Sequence, residues 1–87
     1  MNKIFELKPI DNRKSFYGKA IVIEHNSNFV ELKSYETIVA RIVNGKFERL
    51  WNDYSPTTMR HINAFNAHYG IDGHGKKWWD AQLIVKA

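Results

Sequence analysis

The chain has 87 residues, 44% of them hydrophobic and 14% aromatic, which is enough to close one core and too short for a second, so one α+β domain over residues 1–87 is the ceiling. It contains no cysteine, which excludes a disulfide framework, a thiolate zinc site and a thiol nucleophile, and fits a reducing cytoplasm. The formal charge of +4 permits an anionic partner, with an excess of +3 over residues 1–19 (five basic, two acidic) and +2 over residues 76–87 (three basic, one acidic), but no run of five like charges marks a binding tail.

Met1–Lys8 has no apolar run long enough for a signal peptide, and no segment approaches the roughly 20 apolar residues of a membrane span, so neither export nor insertion is expected. Residues 2–8 mix apolar and polar side chains up to Pro9 and predict a first edge strand. Asp11 to Ser15 is a polar connection whose Arg13 and Lys14 form a basic spot. Phe16 to His25 is rich in aromatic and β-branched residues and predicts a central strand buried on much of both faces. Asn26-Ser27-Asn28 turns the chain into a strand from Phe29 to Lys33, and Ser34-Tyr35-Glu36 turns it again. Thr37 to Val43 then pairs with Lys46 to Trp51 across Asn44-Gly45, a dipeptide suited to the positive φ angles of a type I′ turn; Phe47, Arg49 and Trp51 fall on one face.

An antiparallel meander of four to five strands needs its apolar face covered, and the next segment supplies one main helix. Ser55 is the expected N-cap, Pro56 the first helical residue and Gly70 the stop. Met59, Ile62, Phe65 and Tyr69 recur at spacings of three, three and four, with Ala64 and Ala67 allowing close approach beside them. Thr57, Arg60, His61, Asn63 and His68 make the polar outer face. After a loop containing Gly73 and Gly75, a short C-terminal helix is predicted over Lys76 to Gln82, with Trp79 and Leu83 turned into the core and Trp78 and Gln82 turned outward; a last strand through Leu83 to Val85 is the alternative.

No constellation for chemistry stands out. His61, His68 and His74 fall in one stretch, but His61 and His68 are seven residues apart, about 10 Å along a helix, where one metal needs ligands at i and i+3 or i+4. Neither metal nor cofactor is expected. There is no phosphate loop with lysine and serine, no nucleophile elbow and no cysteine to pair with histidine, so the reading is non-enzymatic. A partner-binding surface is expected instead at Arg60, His61, His68, His74, Lys76, Lys77 and Trp78, with Arg13 and Lys14 as a second basic patch. Within it, His74 to Trp78 brings paired cations beside an aromatic that can stack on a base. Arg60 is the only cation of the main helix, too few for a groove-reading helix.

Phe16-Tyr17-Gly18-Lys19-Ala20, Leu32 to Tyr35, Asn44-Gly45-Lys46 and, above all, Tyr54-Ser55-Pro56-Thr57-Thr58-Met59-Arg60-His61-Ile62-Asn63 carry a resemblance over most of residues 16–80. In these blocks the chain resembles a family of small uncharacterised proteins of phages and mobile elements in Firmicutes. Pro56 and Trp78 depart from that pattern, and no role is carried over to them. The resemblance implies a genomic setting and no mechanism. By analogy, a compact non-enzymatic phage protein commonly binds and inhibits a host defence protein or nucleoprotein complex, in the manner of an anti-CRISPR protein. The alternative is a modestly basic DNA- or RNA-binding protein acting in regulation or replication of a mobile element, with Lys76, Lys77, Arg13 and Lys14 on phosphate and Trp78 as a stacking platform.

Overall fold

The computed structural model describes residues 3–9, 16 and 18–85. Arg13 and Lys14, the second basic patch of the sequence reading, lie outside the described residues. Five antiparallel strands, β1 (Lys3–Glu6), β2 (Ala20–Asn26), β3 (Phe29–Ser34), β4 (Thr37–Val43) and β5 (Lys46–Arg49), lie in their chain order in one sheet. They are followed by α1 (Pro56–Tyr69) and α2 (Gly75–Ala81) on one face of it. The α+β class, the meander, the main helix and the short C-terminal helix therefore stand as the sequence predicts.

The two faces are set by alternation along the strands. One cross-strand row, Phe5, Val22, Leu32, Ala40 and Arg49, lies under the helices; Val22, Leu32 and Ala40 are fully buried. The neighbouring row, Ile4, Ile23, Glu31, Arg41 and Glu48, lies on the uncovered face. There Arg41 Nε donates to Glu48 Oε1 at 2.6 Å, and His25 Nε2 meets Glu31 Oε1 at 2.5 Å while its ring stacks on Phe29. β2 is interior, paired on both edges, but only one of its faces is buried: Ala20 and Val22 are enclosed while Ile21 and Ile23 stay partly exposed, because among the described residues no second layer covers the other side. The strand also starts at Ala20, since Gly18 takes a positive φ of 74° and breaks the extended run predicted from Phe16.

The turns follow their residue chemistry in two cases and defy it in a third. Asn44 and Gly45 have φ of 53° and 81°, the left-handed pair that a type I′ turn requires. Asn26 Oδ1 accepts from the Asn28 N–H at 2.8 Å and closes the β2–β3 turn. Tyr35, in the β3–β4 turn, also has a positive φ, 56°, where a bulky side chain is strained. Its N–H donates to Lys19 O at 2.8 Å, one of the bonds that hold it there.

α1 has both signposted ends. Ser55 Oγ accepts from the Thr58 N–H at 3.0 Å, Pro56 begins the helix, and Gly70 at φ 70° sends its N–H to Asn66 O. Met59, Ile62 and Phe65 are buried as expected and Tyr69 is half-buried. Of the two alanines, Ala64 is buried and Ala67 is exposed. α2 is pinned by Trp79, which is fully buried and donates from Nε1 to Asp53 O at 2.9 Å. Arg49 reaches the same place from β5. Its guanidinium lies 4.4 Å from the Trp79 ring, and Nη1 donates to Trp79 O at 2.9 Å, so a buried cation serves the negative end of α2.

Leu83 does not complete the core. α2 ends at Ala81, Gln82 is extended at ψ 133°, and Leu83 is 88% exposed. The chain then makes an isolated parallel bridge from Ile84 to Arg49, with the Val85 N–H bonded to Arg49 O at 2.7 Å. A helix and the beginning of an extended segment thus both occur in the stretch where the sequence offered one or the other.

Candidate functional site

The residues expected to form one partner surface are divided among separate places. His74, Lys76 and Lys77 are exposed at the start of α2, where His74 is the N-cap residue and makes no side-chain cap bond. Lys76 Nζ donates to Asp80 Oδ2 at 2.7 Å and stands 5.2 Å from the Tyr54 ring; the Asp80 bond, first, holds its ammonium above the ordinary lysine range. His68 is exposed on α1, 5.3 Å from the Phe5 ring, in a cleft of about 370 Å³ between β1 and the helix. Arg60 is half-buried with its guanidinium 5.2 Å from the Phe16 ring.

His61 is a correction. The sequence reading puts it on the outer face of α1, yet it is fully buried. Its Nδ1 is 2.8 Å from Ser34 Oγ, which is 3.0 Å from Thr58 Oγ1, and Phe16 meets its ring edge-on at 4.5 Å. The buried side of α1 is wider than the four-residue stripe because the end of β3 and Phe16 reach around it. Burial first, and Arg60 second, push the imidazole down from 6.5 to about 4, so it is neutral at pH 7. Nε2 is buried and has no hydrogen-bond partner. A group so enclosed has no access to a partner or a substrate.

Trp78 is a second correction. It is half-buried, not turned outward, and its indole lies 4.8 Å from Phe47 and directly against Gly73, where an added Cβ would overlap the ring. The 70–75 loop is clipped under it by α1: Asn66 Nδ2 donates to Gly73 O at 2.9 Å and Asn63 Oδ1 accepts from the Gly75 N–H at 3.1 Å. The base-stacking platform is therefore packing. Among the described residues no group of three His, Cys, Asp or Glu side chains comes together to hold a metal, and no helix is long and apolar enough to cross a membrane.

Two further concavities lie at the end of the sheet that carries the β2–β3 and β4–β5 turns. On the helix side is a cleft of about 560 Å³ bounded by that end of the sheet and the C-terminal end of α1. Val30 and Ile42 lie in its floor, Ile71 closes one side, and Glu24 and Tyr69 stand in the wall. Tyr69 Oη donates to Glu24 Oε2 at 2.5 Å. Burial, followed by that carboxylate, pushes the Tyr69 phenol well above its usual value, so it remains a donor. On the uncovered face is a shallower depression of about 630 Å³ with Arg41, Val43 and Glu48. The two share the turn Asn26-Ser27-Asn28-Phe29 as a common wall. Sequence reasoning passed over this site because five separate elements, β1 to β4 and α1, contribute to it: Glu24 is one polar residue within a strand segment, and Tyr69 reads as the last member of a core stripe.

No curated protein and no solved structure matches the chain. A family model matches residues 5–81, nearly the whole described fold from β1 to the end of α2. The chain belongs to that family, the family of unknown function DUF8033.

Proposed function

We propose that the protein is a non-enzymatic accessory binding protein of a phage or plasmid, which engages a host protein or nucleoprotein complex and inhibits it by occupying its surface. The observation that carries this reading is the pair of depressions, about 560 and 630 Å³, that flank one exposed turn and share its four residues. Apolar side chains inside, from Phe29, Ile42 and Val43, are bordered by amides and charges on the rim. That is the composition of a protein-binding patch, apolar at the centre and polar at the edge. The resemblance of the Tyr54–Asn63 block to phage and mobile-element proteins supports a host partner.

The nucleic-acid reading has less behind it, since Lys76 is paired with Asp80 and Trp78 is packed against Gly73 and Phe47. Site-specific photo-crosslinkers at Ser27 and at Lys77 separate the two in a bacterial host. The expected result is one reproducible protein adduct from Ser27 and none from Lys77. Nucleic-acid adducts at Lys77, together with oligonucleotide binding that is lost at high salt and in Lys76→Glu/Lys77→Glu, overturn the protein-partner reading.

A further inference from the structure

We infer that the 560 Å³ cleft is a receptor for a cationic side chain, an arginine or lysine of the partner protein, whose charged head meets the Glu24 carboxylate while its aliphatic stem lies on Val30 and Ile42. The inference rests on the protein-partner reading and names the chemistry of what enters.

Five observations converge on it. Glu24 stands in the wall of the cleft with only one of its two oxygens engaged among the described residues: Oε2 accepts from Tyr69 Oη, and Oε1 makes no hydrogen bond. A carboxylate fixed by a phenol that keeps its proton is a pre-oriented acceptor, and the oxygen left free offers its lone pairs and its share of the charge to an N–H donor. α1 ends in the same cleft, with Tyr69, Gly70 and Ile71 in its lining, so the negative end of the helix adds to the field of Glu24. Its last turn is closed by Asn66 O, which accepts from both Gly70 and Ile71 N–H groups.

The floor is apolar. Val30 and Ile42 are 6% and 7% exposed, and such a surface suits the methylene stem that lysine and arginine bury behind their charge. Lys3, the only cation among the described lining residues, stands opposite Glu24 in the β1–β2 register but is drawn over the Phe5 ring at 5.6 Å and makes no ion pair with Glu24. The rim carries the side chains of Asn26 and Asn28 from the exposed turn, Asn26 Oδ1 being held by the Asn28 N–H, and amide groups beside the cleft suit a peptide backbone, which favours a side chain of a protein over a free amine.

The test is a titration of the intact chain, followed by backbone amide NMR, with N-acetyl-arginine methylamide, its lysine counterpart, and the uncharged citrulline isostere. The expected result is saturable shifts at Val30, Ile42, Gly45 and Ile71 with the two cationic probes and at least tenfold weaker binding of citrulline. Glu24→Gln, which keeps an oxygen for Tyr69 and hence the fold, weakens the arginine probe at least tenfold; Lys77→Gln leaves it unchanged. Equal binding of arginine and citrulline, undiminished binding to Glu24→Gln, or no saturable shift at 50 mM on the order of the weakest side-chain affinities overturns the inference. The crosslink from Ser27 reports separately on the parent reading: an adduct that persists while the cleft ignores cations removes the cationic receptor alone. Cleft binding of arginine with no protein adduct keeps the cation-binding cleft but removes the parent reading and, with it, the assignment of the cation to a partner protein.

Discussion

Acid titration of His61 probes the least expected feature of the core. The imidazole is fully buried, bonded through Nδ1 to Ser34, and held at about 4 against an ordinary value of 6.5, by burial first and Arg60 second. In the unfolded chain it takes up a proton as the pH drops below 6.5, while in the folded protein it resists until about 4. Unfolding therefore binds a proton in that window, and stability falls as pH falls from 6.5 to 4, levels off below, and is complete above 6.5. A gap of 6.5 minus about 4, at about 1.4 kcal/mol per pH unit, corresponds to about 3 kcal/mol, a large part of the stability of a domain this size. Urea unfolding followed by tryptophan fluorescence at pH 7, 5.5 and 4 measures it. Carboxylates titrate in the same range, so the readout is the difference from His61→Phe, which cannot titrate and leaves Ser34 and Thr58 bonded to each other at 3.0 Å. The wild type is expected to lose about 3 kcal/mol more than the variant between pH 7 and 4. Parallel losses in the two proteins, or a folded-state imidazole titrating near 6.5 by NMR, place His61 in solvent and refute the buried assignment.

Three further perturbations follow from packing and backbone. Trp79→Ala removes a fully buried indole and its bond to Asp53 O and is expected to cost about 3 to 5 kcal/mol in denaturant unfolding; Gly73→Ala forces the Trp78 ring off Phe47 and costs about 1 to 3 kcal/mol, most of it recovered in a Trp78→Ala background, whereas an additive pair contradicts the contact. Tyr35→Asn, at φ 56°, relieves strain at a half-exposed site and is expected to raise the melting temperature by roughly 4 to 8 °C, equivalent to about 1 kcal/mol; a fall shows that the ring's packing beside His61 outweighs the strain.

The local elements were legible because their signals are local. The cap formed by Ser55 and Pro56, the Gly70 stop and the Asn44-Gly45 turn each depend on the φ preference or the hydrogen-bonding atom of one or two residues, and each stands where the sequence puts it. Alternation did not settle the faces of β2, which reads as buried on both sides; only the placement of the helices on one side separates the row containing Val22 and Leu32 from the row containing Glu31 and Arg41. What the chain order does not contain is which distant segment covers a given side chain. His61 and Trp78 read as surface residues from helical spacing alone, but His61 is buried and Trp78 half-buried because Ser34, Phe16, Phe47 and Gly73 arrive from elsewhere in the chain. Leu83 went the other way, since the Arg49 guanidinium ends α2 by taking its carbonyls and the Arg49 backbone draws the following residues into a bridge. The cleft at the turn end is tertiary throughout: Glu24 and Tyr69 are 45 residues apart, and only the packing of α1 across the sheet brings phenol and carboxylate within hydrogen-bonding distance.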